Sequence, residues 1–147
     1  MSTQSEQAVS RFKEGFSWSQ PVLLTYSEQL DLDRSTAAKL ASGFGGGMGR
    51  MAQTCGAVTA AFMVIGLKYG SQDPNDKQTK ERTYHLVRQF AEKFKARNGS
   101  VTCSQLLRCD ISTPQGAKTA QEKNLFSTVC PKMVQEAVEI LDEIIAQ

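Results

Sequence analysis

An apolar segment in the middle of the chain constrains the fold more than any other feature. Residues 55–69 are apolar around nearly the whole circumference of a helix, so this helix is predicted to lie at the centre of the fold. Its most apolar stretch, Val58 to Leu67, is far shorter than the roughly 20 residues that a transmembrane helix needs. We therefore expect a globular protein with no membrane association.

Helix-type periodicity dominates the rest of the chain, and alternating β-branched runs are nearly absent. The length of 147 residues fits one domain. The predicted fold is all-α: a single helical domain, 1–147, forming a compact multi-helix bundle around the central helix, with a glycine-rich loop at that helix's N-terminus. Further helices are predicted at about 6–13, 21–30, 34–42, 76–97 and 131–145, and short ones open at Thr102 and Thr113.

Two of these helices have a predicted buried face. On the helix 76–97, the inner face is predicted to hold Tyr84, Val87, Phe90, Ala91 and Phe94. The last helix carries two adjacent apolar rows, which make a stripe that this chain or a second copy must cover. From this excess of apolar surface we expect a homodimer. The rows are Met133, Ala137, Ile140 and Ile144, and Val134, Val138, Leu141 and Ile145.

A cluster of five glycines, at residues 43–49, precedes the central helix. A right-handed helix is unfavourable for such a run, and neither the P-loop nor the dinucleotide-binding pattern is met. A tight turn that lets helices or a cluster approach closely is the favoured interpretation, and an anion cradle is the alternative. Gly47, Gly49 and Gly56 are the predicted cofactor contacts.

Charge and composition exclude several functional classes. The chain has 17 basic and 15 acidic residues, so its net charge of +2 does not indicate binding to nucleic acid or to a membrane surface. Residues 1–7 are polar and lack a secretory signal pattern, which predicts a cytoplasmic location. His85, the only histidine, lies on a polar helix and is expected at the surface, so no catalytic triad can be assembled.

The four cysteines are the main candidates for chemistry. No pair has the Cys-x-x-Cys spacing, but Cys55, Cys103 and Cys130 fall at predicted helix N-termini. The partial positive charge of a helix N-terminus favours thiolate over thiol, so we expect lowered pKa values for these three cysteines. Cys109 lies at the end of its short helix beside Asp110, where a thiolate is disfavoured.

The segment from Gly43 to Gly70 resembles the C_GCAxxG_C_C family of redox-active proteins. The resemblance continues through Cys103–Leu107, Asp110–Pro114 and Cys130–Pro131, and it covers about residues 12–145. The last three cysteine positions of the family map onto Cys55, Cys103 and Cys130. Where the family has its first cysteine this chain has Trp18, and Ala60 replaces the closing glycine of the GCAxxG element.

The resemblance implies redox or cluster chemistry. The family is similar to a domain of split-Soret cytochromes, whose cysteines bind an iron–sulfur cluster; this chain lacks Cys-x-x-Cys-His and should carry no c-type haem. We expect Cys55, Cys103 and Cys130 to converge on a pocket walled by the glycine loop. They would hold an iron–sulfur cluster or another metal, with Cys109, solvent or a non-cysteine group as fourth ligand, or exchange thiol and disulfide with a redox partner protein. The alternative is a non-enzymatic helical dimer in which the cysteines only fill space.

Overall fold

The computed structural model describes residues 3–147, and within this range all regular secondary structure is helical. The one β-type pairing among these residues is an isolated antiparallel bridge between Thr54 and Thr102. The prediction of an all-α bundle is confirmed. The α-helices are α1 (Thr3–Lys13), α2 (Ser19–Ser27), α3 (Arg34–Ala41), α4 (Gly45–Met48), α5 (Gly56–Tyr69), α6 (Lys77–Asn98), α7 (Cys103–Leu107), α8 (Pro114–Glu122), α9 (Leu125–Thr128) and α10 (Cys130–Ile145), and 3-10 turns cover Glu28–Leu30 and Ser42–Phe44.

Helix α5 lies at the centre, as its sequence predicts. It packs against α2, α6 and α10. Small side chains, among them Ala57, Ala60 and Ala61, are fully buried along it. A helix surface made of small side chains lets its neighbours approach closely. The position of α5 therefore follows from its composition.

Helix α10 buries both of its apolar rows. It contacts α1, α2, α5, α6 and α9, and seven of the eight row residues are buried while Ile145 is partly buried. Other helices of the same chain thus cover the stripe. The homodimer stays a prediction, but the apolar surface from which it was predicted is buried within one chain.

The buried face of α6 differs from the prediction. Leu86, Phe90 and Phe94 are buried on it, whereas Tyr84 is 48% exposed. The buried residues repeat every four positions, and a turn of 100° per residue places Tyr84 about 120° away from Phe90. Tyr84 was predicted to lie inside, and this prediction is wrong; its ring lies instead beside the Lys80 ammonium group.

Hydrogen bonds at both ends of α2 hold this helix in the bundle. The Tyr26 hydroxyl donates to Asp142 Oδ1 over 2.6 Å, which ties α2 to α10. At the other end of α2, the Ser19 hydroxyl donates to the carbonyl of Ala41 over 2.5 Å. These two contacts hold α2 and therefore Trp18, which immediately precedes it. Within residues 3–147, no helix has the length and apolar character needed to cross a membrane.

Candidate functional site

Three of the four cysteines line one small cavity. Cys55, Cys103 and Cys130 are 4%, 2% and 3% exposed, and the cavity that they share measures about 10 Å³. This is about the space of a single water molecule. The chain thus brings together thiols from three separate segments. We call this space the thiol cavity; its other lining residues are Trp18, Leu106, Leu107, Val129 and Met133.

A short backbone pairing holds two of these cysteines in place. Next to the Thr54–Thr102 bridge, the amide of Cys55 donates to the carbonyl of Val101 over 2.8 Å. The amide of Cys103 donates to the carbonyl of Gln53 over 2.6 Å. Cys55 follows Thr54 on one of the two paired segments, and Cys103 follows Thr102 on the other. Their relative position is fixed by main-chain hydrogen bonds.

The helix positions of the cysteines agree with the sequence to within one residue. Cys55 is the N-cap of α5, Cys103 is the first residue of α7, and Cys130 is the first residue of α10. All four cysteines are free thiols. Their roles as catalytic residues or ligands stay predictions.

The expected activation of these thiols by helix N-termini is wrong. Burial raises the pKa of Cys55 to about 11, although the backbone amides of Ala57 and Val58 oppose the shift. Burial, followed by the negative charges at Cys55, Cys109 and Asp110, raises the pKa of Cys103 to about 12. Removing a thiolate from water costs more than a helix N-terminus returns.

Cys130 shows the same direction of change. Burial is the main cause that raises the pKa of Cys130, and the neighbouring thiolates of Cys55 and Cys103 add to it. A negative charge on one of these sulfur atoms therefore disfavours ionisation of the other two. At neutral pH all three groups are protonated thiols.

The glycine loop packs against Cys103, but none of its residues lines the thiol cavity. Gly47 has a φ of +68°, and a Cβ there would lie 2.6 Å from Cys103 Cβ and 2.8 Å from the Gln53 amide nitrogen. A Cβ at Gly56 would lie 2.7 Å from the Phe44 carbonyl oxygen. These two glycines permit close approach of the chain to itself. Their predicted contact with a cofactor stays a prediction.

Gly49 has a different environment. Its φ is +60°, and a Cβ there would have only the Gly43 carbonyl oxygen in reach, at 3.6 Å. The conformation rather than the space favours glycine at this position. Residues 43–49 do not form one continuous right-handed helix, as predicted: Gly43 and Phe44 end a 3-10 turn, and all four residues from Gly46 to Gly49 have positive φ values.

Trp18 forms part of the wall of the thiol cavity. It is 8% exposed, it lines the cavity with the three cysteines, and its ring stacks on Phe126 at a centroid distance of 5.6 Å. The family resemblance predicts that Trp18 stands where the family has its first cysteine. An indole therefore stands at the position where that pattern has a sulfur atom.

Cys109 does not line the thiol cavity. It is partly buried and packs at the edge of the core, after Arg108, whose φ of +57° ends α7. His85 is exposed on α6, as the sequence predicts. Neither residue lines the thiol cavity, and the role of Cys109 as a fourth ligand stays a prediction.

The residues do not fit an iron–sulfur cluster in this arrangement. Within residues 3–147, no three His, Cys, Asp or Glu side chains form a group that could hold a metal ion. The thiol cavity, at about 10 Å³, is also much smaller than a cluster with several iron and sulfur atoms. Common clusters use four cysteine thiolates, and Trp18 takes the fourth side here.

Sequence reasoning missed several residues of the site. Met133 and Val129 line the thiol cavity because they lie in and before the first turn of α10, but hydrophobic periodicity does not distinguish a cavity wall from a core position. Phe126 lies on α9, a four-residue helix that begins after left-handed Asn124. An element of four residues is too short to show helical periodicity.

Comparison with known proteins identifies one family. Residues 16–144 match a protein family described as "Putative redox-active protein (C_GCAxxG_C_C)". No match is found among the curated proteins or among the solved structures. The matched segment contains Trp18 and all four cysteines. With its match spanning nearly the whole sequence, the chain belongs to the C_GCAxxG_C_C family.

Proposed function

We propose that this chain is a thiol–disulfide redox protein in which Cys55 and Cys103 cycle between two thiols and one disulfide. The observation that carries the proposal is the convergence of three thiols from separate segments on one cavity. Membership of a family described as redox-active supports it. Cys130 is then the third thiol, placed to exchange with the pair.

The Thr54–Thr102 bridge favours Cys55 and Cys103 as the pair. Each cysteine immediately follows a bridged residue, and side chains alternate between the two faces of an extended segment. Both side chains therefore leave the bridge on the same face. Diagonal neighbours on one face lie about 7–8 Å apart, at the edge of the Cα separation of about 7 Å that a disulfide accepts. A small shift of α7 towards α5 would close the remaining gap.

The proposed reaction oxidises the protein and reduces an external disulfide. The Cys103 thiol loses its proton and attacks one sulfur of the external disulfide, whose other sulfur leaves as a thiolate and is protonated. Cys55 then attacks the Cys103 sulfur, and the second external thiol leaves. One external disulfide becomes two thiols, and two protein thiols become one disulfide.

Burial sets the condition for this reaction. The raised pKa values of Cys55 and Cys103 keep both groups protonated at rest, and a thiol reacts through its thiolate. Reaction therefore requires a local opening that admits water or the external disulfide. We propose a redox partner protein or small disulfide as the reactant, and a cytoplasmic location, where reducing systems return the protein to its thiol form.

A packing role for the cysteines is the second candidate, and their burial favours it. Each of the three is at most 4% exposed, and a buried free cysteine behaves as a small apolar residue. In this case the protein is a non-enzymatic helical dimer or monomer. The two candidates differ in whether the native protein forms a disulfide.

Peptide mapping after native oxidation distinguishes the candidates. Trypsin cleaves after Lys and Arg, so the four cysteines fall into four separate peptides: 51–68, 98–108, 109–118 and 124–132. After oxidised glutathione is added to the native protein and free thiols are blocked, we expect a linked pair of peptides 51–68 and 98–108. Cys109→Ala should retain this link, and Cys103→Ala should lose it.

Two other outcomes contradict parts of the proposal. A link between 124–132 and either other peptide would support redox cycling but overturn the assignment of the pair. Three thiols that remain reduced, and that react with a blocking reagent only after denaturation, would establish the packing role.

A further inference from the structure

A second, larger pocket lies beside the thiol cavity. It measures about 620 Å³ and opens to the surface, which is within the size range of small-molecule sites. We call it the outer pocket. Its walls come from the segment before α2, the glycine loop and the α8–α9 region, and include Ser17, Trp18, Gly46, Arg50, Gln121 and Phe126.

Trp18 lies between the two spaces. Trp18 lines both the thiol cavity and the outer pocket, and no other described residue lines both. Phe126 stacks on it with an angle of 29° between the rings. The outer pocket therefore ends on an aromatic wall, and the three buried thiols lie on the other side of that wall.

Arg50 gives the outer pocket its charge. Among the described residues, it is the only charged one in the lining, and no carboxylate there competes for its guanidinium group. The aliphatic part of the Arg50 side chain lies against the glycine loop: a Cβ at Gly46 would lie 2.7 Å from Arg50 Cγ. Glycine at position 46 thus makes the room in which this side chain runs beside the pocket.

We propose that the outer pocket binds the external reactant of the thiols: a small disulfide with a flat apolar body and a carboxylate group. The apolar body packs on Trp18 and Phe126, and the carboxylate pairs with Arg50. The inference rests on the proposed function for the identity of the reactant as a disulfide. The recognition of an aromatic anion does not depend on it.

The redox step is the one given above, with this disulfide as the oxidant. Two protein thiols lose their hydrogen atoms and form one disulfide, and the bound disulfide gains them and leaves as two thiols. A movement of the Trp18 indole opens the way between the outer pocket and the thiol cavity. Binding in the outer pocket thereby precedes exposure of the thiols.

Binding is tested first, with ligands that cannot react with thiols. Trp18 is the only tryptophan, so the tryptophan fluorescence reports on the wall that the outer pocket shares with the thiol cavity. Nitrobenzoate and nitrobenzamide are quenchers of the same shape, and only the first carries a charge. We expect saturable quenching by nitrobenzoate, with an apparent Kd raised about fivefold in Arg50→Gln and unchanged in the control Arg88→Gln on α6. Nitrobenzamide should bind equally to all three proteins.

Reaction is tested second, in a Cys109→Ala background that leaves the three buried thiols. Dithiobis(nitrobenzoate) is an anionic aromatic disulfide, and dithiodipyridine is a neutral one. Arg50→Gln should slow the first about fivefold and leave the rate of the second unchanged. Arg88→Gln should change neither rate.

The two measurements separate the failure of this inference from failure of the proposed function. If nitrobenzoate binds in an Arg50-dependent way but the thiols never react, the outer pocket stands and the redox proposal fails. If quenching is not saturable, or if Arg50→Gln affects charged and neutral ligands alike, the outer pocket is not a site for anions and this inference is overturned.

Discussion

The helical core and the cysteine end of the molecule are stabilised in different ways. In the core, α5 and α10 bury side chains at helical spacing. Each of these side chains is one of many that pack in the core. The cysteine end consists of residues 43–56, the start of α7 and the start of α10. There, five successive residues from Gly46 to Arg50 have positive φ values, and one bridge fixes two cysteines. Packing energy is spread over the core, whereas single backbone conformations determine the site.

The largest expected effect tests this difference at Gly47. In Gly47→Ala, the new Cβ meets Cys103 Cβ, the Gln53 amide and Ala52 Cα at 2.6–2.9 Å, with a φ of +68°. Backbone strain and overpacking together should lower the free energy of unfolding by about 3–5 kcal/mol. Urea unfolding measures the loss.

Gly43→Ala is the matched control in the same loop. A Cβ at Gly43 meets nothing within 4 Å, so the free energy of unfolding should change by less than about 1 kcal/mol. Equal effects of the two substitutions would show that the close approach of Gly47 to Cys103 does not stabilise the cysteine end.

The sequence predicted the core well because helical periodicity records burial. The capping residues Asp33 and Asp76 accept hydrogen bonds from the backbone of Thr36 and Thr79, and Gly99 ends α6 in the left-handed region. These helix ends are local features, and each is confined to one helix. Tyr84 was wrongly predicted to be buried. Hydrophobicity alone does not distinguish a side chain that lies beside the buried face of a helix from one that lies on it.

The site was predicted only in part. Helix N-termini selected Cys55, Cys103 and Cys130, and their convergence is now observed. The direction of their pKa shifts was wrong, because a sequence shows the position of a thiol on a helix but not how much water remains around it. The outer pocket was also missed, since its walls come from segments that are distant in sequence and have no shared period.

A second prediction uses pH to separate the two regions. The unfolded chain loses a thiol proton near pH 8.5, while the folded protein keeps that of Cys103 until about pH 12. The stabilising effect of the buried thiol is therefore complete below about pH 8.5 and is lost as the pH rises towards 12. Each such thiol should lower the free energy of unfolding by about 1.4 kcal/mol per pH unit in this window.

Urea unfolding measures this slope between about pH 8.5, the pKa of an unfolded thiol, and about pH 10.5. Cys103→Ala should reduce the slope by the contribution of one thiol. The core variant Ile140→Val should lose about 1 kcal/mol at every pH and keep the slope of the wild type. A slope that is identical in all three proteins would show that burial does not shift the thiol pKa.

The smallest expected effect concerns the wall between the two spaces. Trp18→Ala joins the thiol cavity to the outer pocket, while Trp18→Phe keeps an aromatic ring against Phe126. In a Cys109→Ala background, N-ethylmaleimide should alkylate the buried thiols about fivefold faster in Trp18→Ala, and less than about twofold faster in Trp18→Phe. Mass spectrometry of the three cysteine peptides follows the reaction.

General destabilisation would also speed alkylation, and amide hydrogen exchange distinguishes the two causes. Phe90 and Phe94 are fully buried on α6, a helix that contributes no residue to the thiol cavity. If Trp18→Ala only opens the wall, exchange of their amides stays slow while alkylation accelerates. If both accelerate by the same factor, the thiols become accessible through unfolding of the core, and the cysteine end does not open independently of it.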